Sequence, residues 1–353
     1  MRPGFWDLEC ATRLRDEIFV PPASSSSAAL GTESPPDAPA RERARLREAV
    51  AEMGAQDWMV LGYHVLLVLA VLVGHRTSDW SRALFDVVAL LAWFVFTMCV
   101  VRGRLIGARS QAILYRITLL ATVEASYFAF RRILPVINPG ALDTELYQLD
   151  LRWFGLEPAL SSQWLVSGPL TEWFAFFYFG YFFLISAHML PIVLFSKDRQ
   201  AQNEFTFGAL VIFCLGHLTY TLVPGFGPGV AFSHAFTVPL PRGPWLDTVL
   251  DTVETGGALK DIFPSIHTAI PTFITLWSFR YRAKLPYRYT WPLVAFVSLN
   301  VILATMYLRW HYLIDVVAGF TLGTFAFWLC GPVIRRELER RAQSGLRPVW
   351  PDY

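Results

Sequence analysis

The sequence predicts an all-α protein, a polytopic bundle of about eight transmembrane helices. Three observations carry that prediction. The composition is 54% hydrophobic and only 16% charged over 353 residues, with a mean hydropathy of +0.40, far from the balance of an ordinary soluble domain. Apolar runs recur at lengths near the roughly 20 residues that cross a bilayer as helix. Lys and Arg gather in alternate connections between those runs, as membrane topology requires.

The first 55 residues contain Ser24 to Ser27, the Pro-rich SPPDAPA and the charged RERARLREAVAEM. They lack the early apolar core of a cleaved signal peptide. They read as a largely disordered cytoplasmic arm with one short helix near Arg41 to Met53. Apolar runs then fall at 57–74, 83–101, 111–130, 171–195, 205–223, 264–280, 290–306 and 309–331. Between the third and fourth, NPGALDTELYQLDLRWFGLEPALSSQW interleaves leucines and aromatics with acids, so it is either a helix lying in the interface or an ordinary loop.

With eight spans, RGRLIGAR after the second, RYRAKLPYR after the sixth and IRRELERR after the last share one side with the N-terminal arm. That side is expected to be the cytoplasm, with both termini in it and the protein integral to the inner membrane. Gly225 to Lys260 and the starts of the sixth and eighth spans then face the extracytoplasmic side. Arg131 and Arg132 also fall there, against the charge rule unless they serve a site. The formal net charge of +2 has no basic face behind it, which excludes a nucleic-acid partner. Cys10, Cys99, Cys214 and Cys330 are scattered without C-x-x-C spacing, so neither a disulfide framework nor a zinc site is expected, and no cofactor is called for.

The chemistry-bearing residues sit at the starts of two apolar runs. In RWHYLIDVVAG, His311 and Asp315 stand at i and i+4, which puts them on one helical face. A carboxylate against one imidazole nitrogen fixes the tautomer, frees the other nitrogen as base or nucleophile, and stabilises the imidazolium. An intramembrane Asp is costly and faces a polar cavity or partner. In FPSIHTA, Pro264, Ser265 and His267 open another run, the kind of helix N-terminus whose free amides bind anions. Ser265 is either an N-cap or a hydroxyl turned towards phosphate oxygens. Arg309 lies off the His311 face of a regular helix; it reaches the site only where the chain before His311 is non-helical, and otherwise snorkels. The PGFGPG run around Gly227 either brings backbone close to a ligand or simply stops a helix. His217 is read as a core histidine bonded to a neighbouring helix. Aromatics such as Trp173, Phe176 and Tyr178 are read as packing or lipid-facing residues. Two histidines, a carboxylate and an anion cradle suit phosphoryl transfer.

Together, FPSIHTA and MYLRWHYLIDVVAG resemble the second and third signature motifs of the phosphatidic acid phosphatase type 2 superfamily. The resemblance is to its inositol phosphorylceramide synthase and sphingomyelin synthase branch, and runs over roughly Pro135 to Pro332, with VPGFGP a looser match. It implies a six-helix core, His311 as nucleophile, Asp315 as its orienting partner and His267 as acid and base; Ser265, Arg309 and Gly227 are the candidates for binding the phosphate. Domains follow as 1–55 the arm, 56–134 N-terminal helices, 135–332 the catalytic core and 333–353 a basic tail. Phosphatase members carry a K-x6-R-P motif and an Arg six residues before the nucleophile; here that Arg is Thr305, and no K-x6-R-P precedes Pro264. Fewer fixed cations suit a singly charged phosphodiester better than a monoester. The expectation is an enzyme that moves a phospho-head group between a donor and an acceptor lipid through a phosphohistidine, with sphingolipids among the acceptors. The alternatives are a lipid phosphate or polyprenyl diphosphate phosphatase, and a non-catalytic lipid-binding or transport protein.

Overall fold

The computed structural model describes residues 38–351. By its contacts the chain divides after Glu42, and the fold is that of the second unit. The arm expected over 1–55 lies, up to residue 37, outside the described residues. Its short helix is α1, Ala38–Ala51.

All regular elements among the described residues are helices. Following α1 come α2 (Ala55–Val73), α3 (Trp80–Arg102) and α4 (Ala108–Ile137), then the short α5 (Asp143–Phe154) and α6 (Pro158–Ser161). Next are α7 (Gly168–Phe195), α8 (Arg199–Leu222), α9 (Pro228–Ala231) and α10 (Pro244–Gly256). The chain closes with α11 (Ile266–Arg280), α12 (Tyr287–Tyr307) and α13 (Leu313–Gln343). Seven helices, α2, α3, α4, α7, α8, α12 and α13, are long and apolar enough to cross a membrane. The sixth predicted span is α11, and it has only 15 residues. It starts late because Ser265 is extended, with φ −65° and ψ 104°, and its amide is held by the Asp315 carbonyl at 3.0 Å.

Helix α8 forms the seam of the bundle, packing on α2 and α4 on one side and on α7, α11 and α13 on the other. Its glycines make that possible: a Cβ at Gly208 would collide with the Phe273 ring, and one at Gly216 with Ile266. Helix α11 is enclosed by α7, α8, α12 and α13. Along α13, Gly319 and Gly323 let the backbone carbonyls of Ser265 and Ala269 approach so closely that any side chain would overlap them. Small residues at i and i+4 are the usual means of bringing two membrane helices together. Here they set the distance between the two runs that carry the candidate histidines.

The last helix runs past residue 333. Helix α13 continues to Gln343, and Gly345 turns the chain in the left-handed region, φ +62°. Trp350 then inserts beside Tyr115 with ring centroids 5.0 Å apart, and Arg102 donates to the Val349 carbonyl at 2.9 Å.

Candidate active site

The acid-rich segment after α4 is neither an irregular loop nor a free interfacial helix. Its helix α5 turns two carboxylates inwards, while Trp153 stays 62% exposed. Asp150 accepts hydrogen bonds from the Leu313 and Ile314 amides at 2.7 and 2.8 Å, so it caps α13, where the positive end of the helix favours an anion. Asp143 accepts from the Gly227 amide at 2.9 Å, the Phe226 amide at 3.0 Å and the Tyr312 hydroxyl at 3.0 Å. Lys260 ties the same segment down through the Pro139 carbonyl at 2.7 Å.

These contacts fix the turn between α12 and α13. The Trp310 and His311 amides both donate to the Thr305 carbonyl, at 2.9 and 3.1 Å. Arg309 adopts φ +68°, and its carbonyl accepts from Gly229 at 2.8 Å. Gly227 has φ +88°, and a Cβ there would strike the Trp310 carbonyl. Glycine is required at that position for both reasons.

His311, buried at 4% exposure, faces Asp315 with Nδ1 to Oδ2 at 3.4 Å. The same carboxylate oxygen accepts the Tyr312 amide at 2.9 Å. His267 stands across from His311, the ring centroids 6.2 Å apart. Tyr178 stacks on His267 at 4.5 Å and Tyr181 packs against it at 4.3 Å. Both histidines line a cavity of about 650 Å³, a size suited to a small ligand or head group.

Burial pulls the His311 imidazole down to about 4, with Asp261 and the Ile262 carbonyl opposing that shift. It is therefore neutral at pH 7 and able to act as a nucleophile. Asp261 is held above the usual carboxylate range by burial, against a hydrogen bond from Tyr127, whose hydroxyl donates at 2.8 Å.

His267, His311 and Asp315 are thus brought together. Ser265 adjoins them, but its hydroxyl accepts a bond from Thr268 at 3.1 Å and the residue is fully buried. The Gly227 amide is occupied by Asp143. The chain before His311 is non-helical, as Arg309 would need to reach the site, yet its guanidinium turns to the Val238 carbonyl and stacks on Phe236 at 3.9 Å. His217 bonds the Tyr63 hydroxyl across helices at 3.1 Å. Arg131 lines the cavity, donating to the Glu254 carbonyl at 2.7 Å; Arg132 pairs with Asp86 at 2.7 Å.

Sequence reasoning missed Asp261, Glu124, Tyr127 and the two capping acids. Asp261 had one visible mark, its place just ahead of FPSIHTA. For Tyr178, packing was legible, but its partner, an imidazole some ninety residues away, was not. Among the described residues no three His, Cys, Asp or Glu side chains converge to hold a metal ion.

Residues 144–329 match the family described as the PAP2 superfamily, and that stretch contains both histidine motifs, α5 from its second residue and the whole turn before α13. No curated protein and no solved structure matches the chain.

Proposed function

The chain belongs to the PAP2 superfamily, whose members are lipid phosphatases and phosphotransferases, and from that premise we propose that it transfers a phospho-head group between membrane lipids. The proposal includes its place in the inositol phosphorylceramide synthase-like branch. The observation that carries it is the pair of imidazoles facing each other across 6.2 Å, one of them backed by Asp315.

In the first half-reaction the His311 nitrogen remote from Asp315 attacks the phosphorus of a phosphodiester lipid. The new N–P bond forms as the bond from phosphorus to the glycerol oxygen breaks, and His267 gives its proton to the departing alkoxide. Asp315 stabilises the charge that grows on the His311 ring. In the second half-reaction the now neutral His267 takes the proton of an acceptor lipid hydroxyl such as that of ceramide or diacylglycerol. The acceptor oxygen bonds phosphorus, and His311 leaves.

Two features favour transfer over hydrolysis of a monoester. The position six before His311 is Thr305, whose hydroxyl is spent on the Ile302 carbonyl at 2.7 Å, and Arg309 points away. Neither supplies the cation a doubly charged phosphate needs. Hydrolysis by the same residues is the second reading, and Arg131 on the cavity wall is the observation in its favour. We place the catalytic core at 135–332 and the site at the extracytoplasmic face, because the opposite helix ends carry Arg102, Arg109, Lys197, Arg280 and Lys284.

Purified full-length protein in vesicles, with a head-group-labelled phospholipid and an unlabelled lipid alcohol, tests the reading. Label should move to the alcohol and be trapped transiently in acid-labile form on the wild type but not on His311→Ala. Release of inorganic phosphate from a lipid monoester without acceptor would favour the second reading. Unchanged lipid processing in His311→Ala would leave only a binding or transport role.

A further inference from the structure

We propose that a groove between α7 and α12 holds the hydrocarbon chain of the acceptor lipid and selects it by length; this rests on the transfer reaction proposed above. The groove has a volume of about 680 Å³ and lies on a different face of α7 from the cavity of the two histidines. On α7 its wall is the stripe Phe176, Gly180, Phe183 and Ala187, at i, i+4, i+7 and i+11. Large and small residues alternate along that stripe, and a Cβ at Gly180 would meet nothing within 4 Å. On α12 the facing stripe is Thr290, Leu293, Val294 and Val297. A phenylalanine-rich helix is thus notched at two places, and both notches open on one groove.

The groove is continuous with the reaction site. Phe179 lines both volumes, and its neighbour in the chain, Tyr178, stacks on His267. Trp245 of α10 closes the same end, its ring 4.9 Å from that of Phe176 and 6.1 Å from that of Phe179. From there the groove follows α7 as far as Pro191, a rise of about 22 Å from Phe176. One leaflet contributes only about 15 Å of hydrocarbon. A chain that fills the groove therefore crosses the midplane, and a short acyl tail leaves its far end to other lipid.

The walls decide which of the two lipids lies there. The polar side chains His188 and Thr290 belong to the far end; His188 is bonded to the Leu184 carbonyl at 2.9 Å and Thr290 to the Pro286 carbonyl at 3.3 Å. At the end joined to the site the wall is aromatic, and among the described residues no charged side chain lines the groove. A phosphodiester drawn along such a wall loses its water without gaining a partner, which is costly for an ion. The hydroxyl of a lipid alcohol is uncharged and loses far less. The acceptor therefore arrives from the groove, and the donor phosphate uses the cavity itself, which Arg131 and Arg242 line. Helix α7 keeps the two lipids apart until they meet beside His267. Lipid tails are as apolar as the groove, so its selectivity comes from packing and not from the hydrophobic effect.

The test uses full-length protein in vesicles of mixed choline, ethanolamine, inositol and glycerol phospholipids labelled at phosphorus. The acceptors are acyl-acetylglycerols whose single long chain runs from eight to twenty-four carbons. In the wild type kcat/KM should rise about tenfold from the shortest chain to the longest. Gly180→Leu should remove that advantage by raising KM for the long chains with little change in kcat. Ala187→Phe, about 10 Å further along α7, should move the cut-off to shorter chains. A flat profile in the wild type, or one that both variants leave unchanged, overturns the inference and leaves transfer standing. Should no acceptor take up label, transfer itself fails, and the groove is read by photolabelling with a diazirine at the chain end of the longest acylglycerol. Label on 286–297 that Gly180→Leu removes supports the chain site. Label spread over all lipid-facing helices, as a diazirine phosphatidylcholine gives, means bulk lipid only and overturns it. Where Gly180→Leu does not fold, Ala187→Phe, made at an exposed position, decides alone.

Discussion

Two charge clusters lie at different levels of α4, and they are built on opposite plans. Near its start, Asp57 accepts from Arg102 Nε at 2.9 Å, the Tyr115 hydroxyl at 2.7 Å and the Gly54 amide at 2.9 Å. Arg102 spends its remaining reach on Val349, and Gln56 bonds Tyr115 at 2.6 Å. A cavity of about 210 Å³ touches Arg102 but is not lined by Asp57, Gln56 or Tyr115. Further along, Asp261, Glu124, His267 and His311 border open volume, and Glu124, which is exposed, has no hydrogen bond or ion pair among the described residues. A buried charge that serves the fold is saturated by its neighbours, whereas one that serves a ligand keeps capacity in reserve.

The contrast can be broken most sharply at His311. Replacement by Ala should lower transfer on the order of 10⁴-fold with little change in melting temperature in detergent; a similar rate would show that the open cluster does no chemistry. The closed cluster should respond in the other currency. Arg102→Ala leaves Asp57 buried and uncompensated, at a cost of about 3–5 kcal/mol, seen as a large drop in melting temperature with normal specific activity in the protein that remains folded. Asp261→Asn, by comparison, should leave the melting temperature nearly unchanged.

Gly319→Val joins the two currencies. Its side chain meets the Ser265 carbonyl, so α11 must move away from α13, costing about 1–3 kcal/mol and separating His267 from His311. Stability and rate should fall together, and loss of one without the other would separate packing from site geometry.

The smallest effect is in pH. With His311 held near 4, the acidic limb of kcat/KM should have its midpoint near pH 4 instead of 6.5, because that profile reports the free enzyme. Asp261 raises the imidazole's affinity for protons, so Asp261→Asn should move the limb to still lower pH. The linked effect on stability has a definite sign. Between about 4 and 6.5 the unfolded chain binds a proton at position 311 that the folded chain does not, so this group's contribution to stability falls as pH drops through that window.

Helix placement and the His311/Asp315 pair were legible because both are local: apolar run length, and two side chains one turn apart. The shortness of α11 was not, since an apolar run does not show where Pro264 and Ser265 are held extended by a bond from another helix. The acids of α5 illustrate the same limit. Asp143 and Asp150 look interfacial in the chain, but their partners, Gly227, Tyr312, Leu313 and Ile314, lie far along it. The role of Gly319 was hidden as well, because a missing side chain gives no signal until the carbonyl opposite it is known.

Helix α11 has 15 residues, about 22 Å of rise, against roughly 30 Å of hydrocarbon. Its far end is followed by Arg282, Lys284 and Arg288, which anchor it at that surface, so the shortfall comes at the end bearing His267. Under the proposed reaction, a phosphorylated imidazole at that level would lie beneath the plane of the head groups, in a region poor in water and rich in dissolved lipid alcohols. An acceptor diffusing within the leaflet meets it without crossing an interface, whereas a hydrolytic water has to descend from the aqueous phase. If the proposed transfer holds, depth alone would tilt the competition for the intermediate towards exchange before any contact with the acceptor is made.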